Sequence, residues 1–258
     1  MEPIQTFNPT TRFADVVENY VKYRPDYPAQ VLLCLEENFG LKRGDVVADI
    51  GSGTGIFTKH FVKAGYTTYG VEPNEQMRKY CESVLASYPN FKPVDGQAEQ
   101  TELPDKHVDY ITAAQAFHWF NTRIAVPEFY RILKPSGLIA LVWNERKTLC
   151  NAFMDGYDTL LRQYCPDYTA TDHKKYSFEK IMEIFPGKKV ERKKFDNYQE
   201  MDYNGLEGRL KSCSYCLKPE HDQYSFLFGS LQDLFGKFQY QGKVRFEYDT
   251  ILYAIKHN

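Results

Sequence analysis

Val46-Val47-Ala48-Asp49-Ile50-Gly51-Ser52-Gly53-Thr54-Gly55-Ile56 is the stretch on which the reading of this chain turns. Its apolar run, Val46, Val47, Ala48 and Ile50, predicts a short strand covered on both faces, as in a parallel sheet. The run enters a Gly-x-Gly-x-Gly turn, after which Phe57, Phe61, Val62 and Ala64 recur at helical spacing. Strand, glycine turn and helix make the first half of a nucleotide-binding βαβ unit. Glycine suits such a turn because it permits positive φ and lets the backbone close on a ligand.

Spacing narrows the ligand. A dinucleotide fingerprint, G-x-G-x-x-G/A, wants a small residue where this chain has Ile56, and the extra glycine falls early, at Gly55. A phosphate-gripping loop would carry Gly-Lys, and none follows. Asp49, just ahead of the first glycine, would repel a pyrophosphate and welcome a cationic amino group. A second strand, Tyr66 to Val71, ends in Glu72, about 20 residues past Gly51, where a carboxylate accepts from both ribose hydroxyls. That position supports a nucleoside without choosing which one. Asn74 then offers an N-cap to a helix carrying Met77, Tyr80, Cys81 and Leu85.

The glycine loop resembles that of class I S-adenosylmethionine-dependent methyltransferases, and further motifs extend the likeness over residues 10–145. Gly96-Gln97-Ala98-Glu99 with Leu103-Pro104 resembles the family's adenine-binding loop, Gln97 standing where Asp or Ser is usual. Ala114-Gln115-Ala116-Phe117-His118-Trp119-Phe120 ends the fourth strand, and ligands of open α/β sheets bind beyond the carboxyl ends of strands. This cluster is similar to the A-x-x-[FL]-H-W-F pattern of small-molecule methyltransferases. The Asn/Asp-Pro-Pro-aromatic cluster of amino-methylating relatives is missing. Tyr20 and Arg24, in Tyr20-x-x-Tyr23-Arg24-Pro25-Asp26-Tyr27-Pro28, match a lid segment that covers the cofactor in such enzymes; read alone, the two prolines make a helix-breaking linker.

The resemblance implies S-adenosylmethionine as cofactor, with Tyr20, Arg24, Asp49, Gly51, Ser52, Gly53, Gly55, Glu72, Pro73, Met77, Gln97, Ala98, Glu99, Gln115 and Ala116 around it. His118 is the candidate catalytic base, with a structural hydrogen bond beside Trp119 as the competing role. Arg24, His118, Trp119 and Arg209 are the candidate acceptor-binding residues. Among small-molecule enzymes the likeness is to trans-aconitate and related carboxylate methyltransferases. A carboxylate needs no base at neutral pH, whereas a phenol or amine does. It needs a cation instead, and the planar fork of Arg pairs it bidentately. The alternatives are an RNA or protein methyltransferase and a non-catalytic S-adenosylmethionine-binding module.

Composition bears on these classes. A formal net charge of −2 over 258 residues argues against a dominant nucleic-acid surface, so no nucleic-acid partner is expected. No apolar run approaches the roughly 18 residues of a membrane span. Met1 to Thr6 has neither a basic nor an apolar signal region, so a soluble cytoplasmic protein is expected, without a membrane partner. Cys213-x-x-Cys216 lacks a second pair at zinc-ligand spacing, so no metal is expected.

Beyond the fourth strand, Ile124, Val126, Phe129, Ile132 and Leu133 make an amphipathic helix that Lys134-Pro135-Ser136-Gly137 stops, and Leu138 to Trp143 is a fifth buried strand. The expected fold is α/β, a doubly wound, mostly parallel seven-stranded sheet in a single domain spanning 1–258. The cofactor-binding core covers 10–145. Residues 150–187 and 203–238 are expected as helical cap insertions, and 188–195 with 244–255 as an antiparallel pair of edge strands.

Overall fold

The computed structural model describes residues 23–148, 150–168 and 176–257, so Tyr20 and the first part of the expected lid segment lie outside the described residues. Seven strands form one sheet: β1 (Val46–Ile50), β2 (Thr67–Val71), β3 (Phe91–Val94), β4 (Val108–Ala114), β5 (Leu133–Arg146), β6 (Val190–Met201) and β7 (Val244–Lys256). The helices are α1 (Ala29–Phe39), α2 (Thr58–Lys63), α3 (Glu75–Leu85), α4 (Thr122–Ile132), α5 (Ala152–Tyr164), α6 (Phe178–Ile184), α7 (Tyr203–Lys211) and α8 (Tyr224–Phe238). The strand order is β3-β2-β1-β4-β5-β7-β6. Strands β1 to β5 pair in parallel, while β7 runs against both β5 and β6, so the sheet is mixed and not strictly parallel. The chain reverses its direction of winding between β1 and β4, which opens a crevice beyond their carboxyl ends.

Successive strand residues point to opposite faces, and both faces are covered, which is why the strands read as continuous apolar runs. Ile50, Ile111, Ala113 and Leu141 meet Phe129 and Ile132 of α4 on one face. Val47, Tyr110, Ala140 and Val142 meet Val31 and Leu35 of α1 and Phe61 of α2 on the other. Local chemistry sets the helix starts: Asn74 accepts from the backbone of Gln76 and Met77 to cap α3, and Asp202 accepts from Gly205 to cap α7.

Three boundaries depart from expectation. β5 begins at Leu133, because Leu133 pairs with Val108 and a register shift before Tyr110 absorbs the Pro-Ser-Gly segment within the strand. β6 continues past 195 to Met201, its second half pairing with β7 from Asp249 to Val244. It is the outer strand, so alternate side chains stay in water and no apolar run marks it; Lys193 and Lys194 guard its open edge. The 150–187 insertion also divides. Its α5 joins α7 and α8 in a core of Phe153, Tyr157, Leu161, Leu206 and Leu231 against Phe246 and Tyr248 of β7. Its α6 instead packs on the sheet, Phe185 stacking at 6.0 Å on Phe117. Since the first residues of β7 pair with the last of β5 and β6, the α5/α7/α8 core lies beyond the carboxyl ends of those strands.

Candidate active site

The glycine turn shapes the floor of a cavity of about 500 Å³ at the carboxyl ends of β1, β2 and β4. Gly51, Gly53 and Gly55 all have positive φ, at 69°, 56° and 82°. Gly51 and Ser52 donate to Val71 O at 2.8 and 3.1 Å, so the turn extends the β1–β2 ladder. Close approach is a second demand: a Cβ on Gly51 would lie 2.7 Å from Ala116 Cβ. Gly55 does different work. It is not among the lining residues, and a Cβ there would lie 2.5 Å from Cys81 Sγ, so it seats α3 against the loop.

Two buried carboxylates face the cavity. Asp49 is 1% exposed and accepts from Thr58 Oγ1 at 2.6 Å and Thr112 Oγ1 at 2.8 Å. Burial pushes its carboxyl up to about 6, against the pull of those hydroxyls. Glu72 is 7% exposed, its Oε2 accepting from Gly53 N at 2.9 Å and its Oε1 from Asn74 N at 2.8 Å. Burial raises it too, opposed by the two N–H bonds and by Arg78. The glycine turn and the end of β2 are thereby locked together by one side chain. Thr54 Oγ1 is buried without a hydrogen-bond partner among the described residues, on a residue that lines the cavity.

The opposite wall comes from two loops. Gln97 and Gln100 exchange backbone bonds across a tight turn that presents Ala98. Glu99 Oε1 accepts from Asn121 N at 2.6 Å, fixing that loop to the start of α4. Gln115 sits in the left-handed region at φ 54°, its N donating to Val142 O and its Nε2 to Asn144 O at 2.9 Å. A non-glycine residue held there is strained, and such strain gathers at functional sites.

Of the residues singled out from sequence, Asp49, Gly51, Ser52, Gly53, Glu72, Pro73, Met77, Gln97, Ala98, Glu99, Gln115, Ala116 and Trp119 line this one cavity. Four described residues do not. His118 lies outside the lining, its Nδ1 accepting from Trp143 Nε1 at 3.4 Å, so the ring is turned toward the sheet. Arg24 sends Nη2 to Ser212 O at 2.8 Å. Arg209, 8% exposed, is buried in the α5/α7/α8 core, with Nε on Tyr248 OH at 3.2 Å and Nη1 on Cys213 Sγ at 2.8 Å. Burial alone would raise the Cys213 thiol, but Arg209 and Arg24 outweigh it and hold the thiol below its ordinary range. Gly55 is the fourth. Sequence reasoning passed over Thr54, Ile56, Phe57 and Phe120, which also line the cavity. Adjacency to the glycine turn and to Trp119 was the available signal. No group of His, Cys, Asp or Glu suited to a metal occurs among the described residues. No described helix is long and apolar enough to cross a membrane.

Comparison with known proteins gives this geometry a class. Residues 48–141 match the methyltransferase domain family. An uncharacterised methyltransferase of Schizosaccharomyces pombe is 31% identical over 180 residues, covering 68% of this chain and 66% of its own. One from Mycobacterium tuberculosis is 34% identical over 134 residues, 52% of each chain. The chain thus spans between half and just under two thirds of the length of these relatives. A structure from Anaeromyxobacter dehalogenans, provisionally named a type II methyltransferase, superposes with TM-score 0.69 at 20% identity over 91% of this chain and 98% of that one. A SAM-dependent methyltransferase from Aquifex aeolicus gives 0.53 at 17% identity over 96% and 98%. At such identities these two establish the fold. Residues 48–141 are an S-adenosylmethionine-dependent methyltransferase domain, and S-adenosylmethionine is its cofactor.

Proposed function

We propose that this methyltransferase domain acts on a small molecule, transferring the methyl group to the oxygen of a carboxylate. The cofactor supplies an electrophilic methyl on a sulfonium. The chain's part is to hold it and to align the acceptor, since catalysis of such a displacement is mainly proximity and orientation. In this reading the Glu72 carboxylate keeps lone pairs for the ribose hydroxyls beyond its two backbone bonds. Asp49 receives the amino group, and the Thr54 hydroxyl, which has no partner among the described residues, is available at the same end. Gln97 to Glu99 border the adenine, and Met77 and Pro73 its apolar face. Gln115, Ala116 and Trp119 shape the region of the sulfur.

The observation that carries the acceptor class is the set of ionisable groups lining the cavity. Among the described residues these are Tyr27, Asp49, Glu72 and Glu99. Two are strand-end carboxylates already engaged, and Glu99 is tied to Asn121 N. No lysine or histidine stands among them to deprotonate a phenol or an ammonium, which favours an acceptor nucleophilic at neutral pH. The cation proposed for it is Arg209, which lies in the cap core outside the cavity lining and has no carboxylate within ion-pairing distance among the described residues. A buried guanidinium in that condition invites an anion.

Calorimetric titration with S-adenosylhomocysteine tests the cofactor half. Radiolabelled methyl transfer across small acids, phenols and amines tests the acceptor half. Carboxylates are expected to be labelled, with Arg209→Met abolishing the labelling. Transfer confined to phenols or amines rejects the carboxylate reading; binding of NADH in place of S-adenosylhomocysteine rejects the cofactor assignments.

A further inference from the structure

Gly208 lies inside α7, where glycine weakens a helix. A Cβ built there would stand 2.1, 2.3 and 2.4 Å from Tyr23 Cε2, Cζ and Cδ2, so the edge of the Tyr23 ring occupies the place of a side chain. The next residue repeats the attachment: Arg24 Nη2 donates to Ser212 O, a carbonyl at the α7 C-terminus that has no helical partner of its own. Gln199 of β6 donates from Nε2 to Tyr23 O at 3.3 Å and accepts from Tyr248 OH at 2.7 Å. Tyr248 OH in turn accepts from Arg209 Nε, on α7 again. The circuit from α7 through Arg209, Tyr248, Gln199 and Tyr23 back to Gly208 is closed.

The strap that starts there leads into the cavity. Asp26 O accepts from Asn197 Nδ2 at 2.8 Å and Asn144 Nδ2 at 3.3 Å, and the Asp26 carboxylate meets His60 Nε2 of α2 at 2.6 Å. Tyr27 follows, 8% exposed, lining the cavity with its ring 4.7 Å from Phe57. No residue of α7 lines the cavity, yet α7 is fastened at Tyr23 and Arg24 to the strap that carries one.

We infer that Gly208 is a positioning residue for cofactor binding: it seats the Tyr23 ring, and through the strap 23–28 the cap helix α7 sets where Tyr27 stands in the cavity wall. The inference rests on the reading that this cavity holds S-adenosylmethionine. It makes the cap, where Arg209 sits, part of the cofactor site's mechanics, so that a change on either side is felt on the other.

The test compares Gly208→Ala, Tyr23→Ala, their combination and the control Gly229→Ala, which adds its Cβ to open space on α8. S-adenosylhomocysteine affinity is read by calorimetry, and hydrogen exchange of the segment 27–32, whose amides are those of Tyr27 and residues 29–32, is read without ligand. Each joint variant is expected to weaken binding about tenfold, and the combination to be no weaker than Tyr23→Ala alone, because both remove one contact. Exchange at 27–32 should quicken in all three, and the control should match wild type in both readouts. Additive losses in the combination would mean general destabilisation and overturn the inference, as would wild-type affinity and exchange in Gly208→Ala. Should Gly208→Ala fail to fold, Tyr23→Ala tests the same joint from its half-buried side, and wild-type behaviour there rejects it. If wild type takes up no S-adenosylhomocysteine, the proposed function fails, and the exchange readout still decides whether α7 positions the strap.

Discussion

Asp49→Asn should make the empty protein more stable and the cofactor site worse. The carboxyl is 1% exposed and titrates near 6 instead of the 3.8 of an exposed Asp. The folded protein therefore keeps a proton at Asp49 up to about pH 6, where the unfolded chain has already lost it. Stability from this group is complete below the unfolded value, falls as pH rises through the folded one, and above it the whole cost of the buried charge is present. Two units at about 1.4 kcal/mol each set that cost at about 3 kcal/mol. The amide avoids it and still suits its neighbours: one threonine hydroxyl, Thr58 or Thr112, keeps donating to the carbonyl while the other turns to accept from Nδ2. Urea unfolding at pH 8 should show Asp49→Asn more stable by about 1–3 kcal/mol, the range allowing for an imperfect exchange of hydrogen bonds. At pH 4 most of the difference should be gone. Calorimetry with S-adenosylhomocysteine should move the opposite way, with affinity falling about tenfold or more at pH 8, and with wild-type affinity itself declining below about pH 6 as Asp49 takes up its proton. A variant less stable than wild type at pH 8, or a difference independent of pH, would show that Asp49 carries no buried-charge penalty and would refute the reasoning.

Glu72→Ala should weaken S-adenosylhomocysteine binding by about 1.5–3 kcal/mol, the usual worth of hydrogen bonds to a charged group, and should lower Tm because Gly53 and Asn74 lose their acceptor; unchanged calorimetric affinity removes Glu72 from the site. Gln115→Gly and Gln115→Ala both lose the bond to Asn144 O, but only glycine relieves φ 54°, so the glycine variant should be the more stable by about 1 kcal/mol, reversing the usual order of the two residues. Equal urea midpoints, or alanine ahead, would show that Gln115 is not strained.

What could be read from the sequence was what a short contiguous segment fixes by itself. The turn at Gly51 to Gly55 needs positive φ, the strand before it needs two covered faces, and Asn74 caps α3 from one position away, so each leaves its mark within a few residues. Gly55 shows the limit of that logic: in the motif it looks like its neighbours, and only the position of Cys81 on α3 tells that it serves packing. His118 shows it again: the strand end alone leaves a base and a structural hydrogen bond both open, and only the packing of another strand brings Trp143 Nε1 to its Nδ1. The second half of β6 left no apolar signature because it is an edge whose alternate side chains remain in water. The surroundings of Arg209 are the extreme case. They are assembled from Cys213 at the end of α7, Tyr248 on β7, Gln199 on β6 and the strap at Tyr23 and Arg24, four segments far apart in the chain. No periodicity records such a meeting, because each segment satisfies its own local rules whether or not the others come near. In the proposed function the acceptor side is built in that way, from cap elements added to a common sheet, and a site of that kind becomes readable only when the packing that brings its elements together is known.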